Sequence, residues 1–169
     1  MAKINNFQVK GIKIFEGRGG YGLNANLYYK GKKVAFVLDE GNGGQLDIRF
    51  NSREIEEEAE KEAREYYKRN PKYLLYPKMQ IGDLVEELVE LSDIEKVYKK
   101  QTKKGYNVTY VLRYHKRNAS LSEICRSRGF QLISYNTDEI EEIAEELKKE
   151  EGVQYVEIFD SLDSFNIEK

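Results

Sequence analysis

Cysteine is nearly absent from this chain of 169 residues: Cys125 stands alone, which excludes an intramolecular disulfide and a cysteine-rich zinc site. Tryptophan is missing, and two prolines, Pro71 and Pro77, are too few for a long polyproline linker. The single histidine, His115, cannot build a histidine-rich metal centre; beside Arg113, Lys116 and Arg117 it reads as a solvated or nucleic-acid-facing side chain rather than a general base. No apolar run approaches the roughly 18 residues of a membrane span. The opening MAKINNFQVK lacks the apolar stretch of a signal peptide. Neither a Gly-x-Ser-x-Gly nor a Walker pattern occurs. These absences lead us to expect a cytoplasmic, non-enzymatic protein with no membrane partner, no cofactor and no metal.

What is present is charge, at 34% of residues, and it is segregated. Residues 96–128 carry a net +9, with Glu123 as their sole acid, whereas residues 129–169 carry a net −9. Either the two segments neutralise one another, or the basic one meets an external polyanion.

Residues 4–50 alternate with the period of strands. FQVKGIKIF changes parity at Gly11, the mark of a β-bulge. LNANLYY and KVAFVLD flank a Gly31 turn, and GNGG precedes QLDIRF, giving a four-stranded antiparallel meander. At Asn51 the period lengthens to that of a helix, with Asn51 or Ser52 as cap, Glu54 completing a capping box, and Pro71 as the stop. A second helical region covers 81–103 and reads as broken near Ser92-Asp93. YNVTYVLRY and FQLISYN read as strands, separated by an ambiguous stretch at 115–128. Asn136 with Glu139 suggests a capping box for the next helix, and VQYVEIF is a final strand before a tail that reads as loose, with Leu162, Phe165 and Ile167 as the residues that could dock. The fold class expected is therefore α+β: a β-meander over 1–50, a linking helix over 51–70, and a mixed part over 71–169 that ends β-β-α-β, within one domain or two subdomains.

FEGRGGYGLN holds a Gly-x-Gly-x-x-Gly pattern at Gly17, Gly19 and Gly22. In dinucleotide-binding folds this pattern opens a helix, but here a strand follows. Protein kinases place it between strands, yet Val37 occupies the position of their lysine, and the His-Arg-Asp and Asp-Phe-Gly motifs are missing. A β-turn that needs glycine is the first reading; a small anion held by Arg18, Gly19 and Gly20 is the other. Asp39, Glu40 and Asp47 around the GNGG turn read as polar turn residues rather than Mg²⁺ ligands.

Two surfaces remain as binding candidates. The first is basic: Lys96, Lys99, Lys100, Lys103, Lys104, Arg113, Lys116, Arg117, Arg126 and Arg128, with Tyr98 and Tyr106 as stacking side chains for nucleic acid or a protein partner. The second is the acidic face of the 51–70 helix, Glu54, Glu57, Glu58, Glu62 and Glu65, which either faces solvent or mimics a phosphate backbone.

The glycine turns Gly20-Tyr21-Gly22, Gly31-Lys32-Lys33 and Gly41-Asn42-Gly43-Gly44, spaced by aliphatic strands over residues 11–50, resemble small accessory proteins of tailed bacteriophages. The resemblance implies a viral or mobile-element protein that binds and inhibits a host defence complex, such as CRISPR, or a nucleic-acid-handling ribonucleoprotein. Direct nucleic-acid binding through 96–128 and nucleotide or anion binding at Gly17–Gly22 are the alternatives.

Overall fold

A computed structural model of the chain describes residues 1–17, 20–42, 45–70, 80–114 and 129–168. It is mixed α+β, with a six-stranded and a three-stranded sheet. The chain divides into two units: residues 1–93 with 166–169, and residues 94–165.

In the first unit the expected meander is present as β2 (Phe7–Glu16), β3 (Tyr21–Tyr29), β4 (Lys32–Asp39) and β5 (Asp47–Phe50). The short strands β1 (Lys3–Ile4) and β9 (Asn166–Ile167) extend it, giving the order β5-β4-β3-β2-β1-β9. The β1–β9 pairing is parallel and the other pairings of this sheet are antiparallel. Gly11 takes φ +67° where the β2–β3 register shifts, so the bulge read from sequence is there. Its effect is to keep Ile12 and Ile14 on the sheet face of Phe7 and Val9 despite the parity change.

Helix α1 (Arg53–Arg69) covers that face. Its Glu58 accepts from the hydroxyl of Tyr29, at 3.1 Å, and its Ala59, Ala63, Tyr66 and Tyr67 are buried. The core beneath includes Val9, Ala25, Leu27 and Val37, with Phe7 stacked on Tyr29. The cap is Ser52, whose hydroxyl accepts from Ile55 N; Asn51 is not the cap, because its side chain donates to the Lys33 carbonyl at 2.9 Å. Helix α2 (Ile81–Thr102) is continuous, which corrects the expected break: Ser92 Oγ donates to the Leu88 carbonyl at 2.7 Å and so is accommodated within the helix. The boundary between the two units falls within α2.

In the second unit β6 (Val108–Tyr114), β7 (Phe130–Tyr135) and β8 (Val153–Phe159) form an antiparallel sheet in the order β7-β6-β8. Helix α3 (Ile140–Leu147) lies between β7 and β8 in the chain, completing the β-β-α-β segment expected. Tyr110, Leu112, Ala144 and Leu147 form a core on one face of this sheet. The Asn136 capping box does not form: α3 starts later, at Ile140, without a side-chain cap. Thr137 is held instead by Asn107, which donates to its carbonyl and accepts from its N–H. Of the tail residues that could dock, Phe165 and Ile167 do so and Leu162 stays half exposed. Phe165 is fully buried, stacked on Phe159 and tilted against Tyr98.

Candidate polyanion-binding surface

The lysines are placed by the geometry of α2. At 100° per residue, Lys96, Lys99 and Lys100, with Lys103 one residue past the end of α2 continuing the line, fall in a stripe about 100° wide, opposite the buried Ile94 and Tyr98. All four are exposed, as are Lys104 and Tyr106 in the turn that follows. That turn is fixed by backbone bonds from the N–H groups of Lys104 and Tyr106 to the Gln101 carbonyl, and by Gly105 at φ +95°. Lys99 pairs with Glu95, whose side chain is 6% exposed. Lys100, Lys103 and Lys104 have no ion pair with a described residue. Cations at this end also complement the negative end of the helix dipole, so the stripe is consistent with the fold as well as with a ligand.

Two of the basic-surface residues are elsewhere. Tyr98 is not a stacking side chain: it is 7% exposed, its ring packs on Phe165, and its hydroxyl donates to the Asp160 carbonyl at 2.8 Å. Arg113 is not on the lysine stripe: it sits on the central strand β6 and donates to Glu157 of β8 through Nε and Nη2, at 3.0 and 2.8 Å. This pair joins the basic and acidic segments, so internal neutralisation accounts for part of the charge segregation. Lys116, Arg117, Arg126 and Arg128 lie outside the described residues, as do His115 and Cys125.

The acidic face of α1 is largely engaged by nearby cations. Glu57 pairs with Arg53, Glu58 with Lys30 and Glu65 with Lys68. The Lys30 ammonium holds the Glu58 carboxyl below the ordinary carboxylate range, and Lys68 does the same for Glu65. The Glu54 carboxyl is lowered by its own backbone N–H and then by Ser52, as suits the first turn of a helix. Glu54 and Glu62 have no ion pair with a described residue.

Gly17 and Gly22 of the glycine pattern sit where backbone packs closely on backbone. Gly17 N donates to the Gly20 carbonyl at 2.7 Å, which closes the β2–β3 turn, and Gly41 N donates to Asp39 Oδ1 at 2.8 Å. Both N–H groups are therefore engaged within the protein rather than presented to an anion. The two turns touch through backbone: a β-carbon on Gly22 would come 2.4 Å from the Asp39 carbonyl, and one on Gly41 would come 2.7 Å from Gly22 N. Arg18 and Gly19, the other members of the anion-loop reading, lie outside the described residues. Asp47 is held by Arg49, and among the described residues no three His, Cys, Asp or Glu side chains gather as a metal site.

Asn70, Ser92, Glu95 and Thr109 are the buried polar side chains among the described residues, and each has a partner within the fold. Among the described residues no helix is long and apolar enough to cross a membrane. Compared with protein-family models, with curated proteins and with solved structures, the chain matches none.

Proposed function

We propose that this is a cytoplasmic binding protein that contacts nucleic-acid backbone through the lysine stripe at the C-terminal end of α2. The observation that supports this is the set Lys100, Lys103 and Lys104: exposed, adjacent, and without an ion pair to a described residue. Lysines at helical spacing follow a phosphate track, and displacement of counterions supplies the free energy. Tyr106, 39% exposed beside them, adds a ring on which a base can rest.

The test is a salt series of binding to short duplex and single-stranded DNA. The double variant Lys100→Glu with Lys103→Glu weakens both and lowers the slope of log affinity against log salt by about 2, roughly 1 for each phosphate no longer neutralised. Lys99 is left intact because it pairs with the buried Glu95 carboxylate, so its removal would disturb the fold as well as the surface. An unchanged slope removes the reading.

A second reading, a phage or mobile-element accessory protein that inhibits a host defence or nucleic-acid-handling complex, draws on Glu54 and Glu62, the two of the five acidic-face carboxylates without an ion pair to a described residue. A defence-bearing host expressing the protein tests it. No gain in phage plating over a control lacking the protein would remove this reading.

A further inference from the structure

The six-stranded sheet has one face under α1 and a second whose described side chains, set out below, are exposed or half-buried. Strand register defines that second face. One cross-strand row runs Arg49, Phe36, Asn26, Lys10 over β5, β4, β3 and β2; the next runs Asp47, Leu38, Asn24, Lys13. Tyr28 lies between Gln8 and Lys33. Phe36 is 36% exposed, Lys13 and Lys33 are exposed, and the other side chains of these rows are exposed or half-buried. In an antiparallel sheet, an open face is normally polar. This one instead interleaves rings, amides and cations.

We propose that this face binds single-stranded RNA. Tyr28 and Phe36 are diagonal neighbours on adjacent strands, a relation that spaces side chains roughly 7–8 Å apart. Two rings so placed form a platform for successive unstacked bases. Lys10 Nζ lies 4.4 Å over the centre of the Tyr28 ring, so a base stacking there displaces the ammonium and leaves it free to meet that nucleotide's phosphate. Gln8 beside Tyr28, Asn26 beside Phe36 and Asn24 one pair further along each offer a donor and an acceptor on this face, the requirement for reading base edges and a 2′-hydroxyl. Charge selects an anionic partner. Among the described strand residues of this face of β2–β5, the one carboxylate is Asp47, already held by Arg49 at 2.6 Å, against Lys10, Lys13 and Lys33. A protein partner would favour a larger apolar centre without that excess of cations. The proposal does not draw on the lysine stripe of α2.

The test is fluorescence titration of a short labelled oligouridylate at low salt, with an oligothymidylate and an RNA duplex as further arms. Phe36→Ser and Tyr28→Ser each weaken oligouridylate binding by about fivefold or more, the effect of losing one stacking ring. Lys13→Glu with Lys33→Glu, both exposed and removable without opening a core, weakens it as well. None of these variants moves duplex binding. By comparison, Lys100→Glu with Lys103→Glu weakens duplex and single strand alike, so loss of either surface is told from loss of the other. Oligouridylate binding that is absent in the wild type, or unchanged in both the ring and the charge variants, overturns the proposal. Equal affinity for oligothymidylate overturns the assignment to RNA.

Discussion

Gly17 and Glu40 meet backbone to backbone: a β-carbon on Gly17 would sit 2.4 Å from the Glu40 carbonyl oxygen. The atom it meets is main chain, so it cannot swing aside as a side-chain tip would. Gly17→Ala is expected to lower stability by about 1–3 kcal/mol, as overpacking does. Gly82 is the contrast: it lies in the first turn of α2 with nothing within 4 Å of an added β-carbon. Gly82→Ala is expected to raise stability by about 0.5–1 kcal/mol. Urea unfolding of the two variants beside the wild type measures both signs.

The Arg113–Glu157 pair couples β6 to β8 with side chains 19% and 20% exposed. Glu157→Ala leaves a guanidinium in a half-buried place with a strong acceptor gone. A loss of about 1.5 kcal/mol is expected, at the lower end for bonds to charged groups because solvent still reaches the site. Thermal unfolding checks it; a change within about 0.5 kcal/mol, typical of an exposed surface site, contradicts it.

Tyr98→Phe keeps the ring against Phe165 and removes the bond to the Asp160 carbonyl. A loss of about 0.5–1.5 kcal/mol is expected, with DNA affinity unchanged, because the ring is in the core. A variant that unfolds like the wild type but binds DNA more weakly would return Tyr98 to the binding surface.

Glu58, Glu65 and Glu145 are lowered by hydrogen bonds from Lys30, Lys68 and Lys148, and Glu54 by its helix N-terminus. Each folded value lies below the ordinary 4.5, so in this range the unfolded chain binds more protons than the folded one. Their stabilisation is fully present above the unfolded value and is lost as pH falls through the folded values. Stability measured by denaturant is expected to be flat from pH 7 to about 5.5 on their account and to decline below about 4.5. Glu58→Gln flattens part of that decline.

The meander is legible because its signals are local: period-2 alternation, glycine turns, and a parity change that only a bulge reconciles. β1 and β9 are not legible, because two residues carry no period and their pairing joins chain segments some 160 residues apart. Helix starts are misread where the cap candidate Asn51 finds another partner in Lys33, and where Asn107 holds Thr137 ahead of α3, which starts at Ile140 rather than after Asn136. Tyr98 keeps helical spacing with Ile94, a core signal outweighed in the sequence by the lysines around it. Arg113 reads as surface charge, since nothing local places it on a central strand facing Glu157. The open sheet face is present in the sequence as Lys10, Asn26, Tyr28 and Phe36, but only strand register makes those residues neighbours.

The parallel pairing of β9 with β1 makes the first unit discontinuous in sequence, with residues 94–165 interposed. During synthesis the ribosome delivers the meander and α1 early, but the strand that completes the sheet emerges only after the entire second unit. Until then β1 presents an open edge, two residues long, which is short enough to be a poor template for a wrong partner. The last step of building the first unit thus waits on the second, and a chain stalled before Asn166 would hold a five-stranded sheet with its edge exposed.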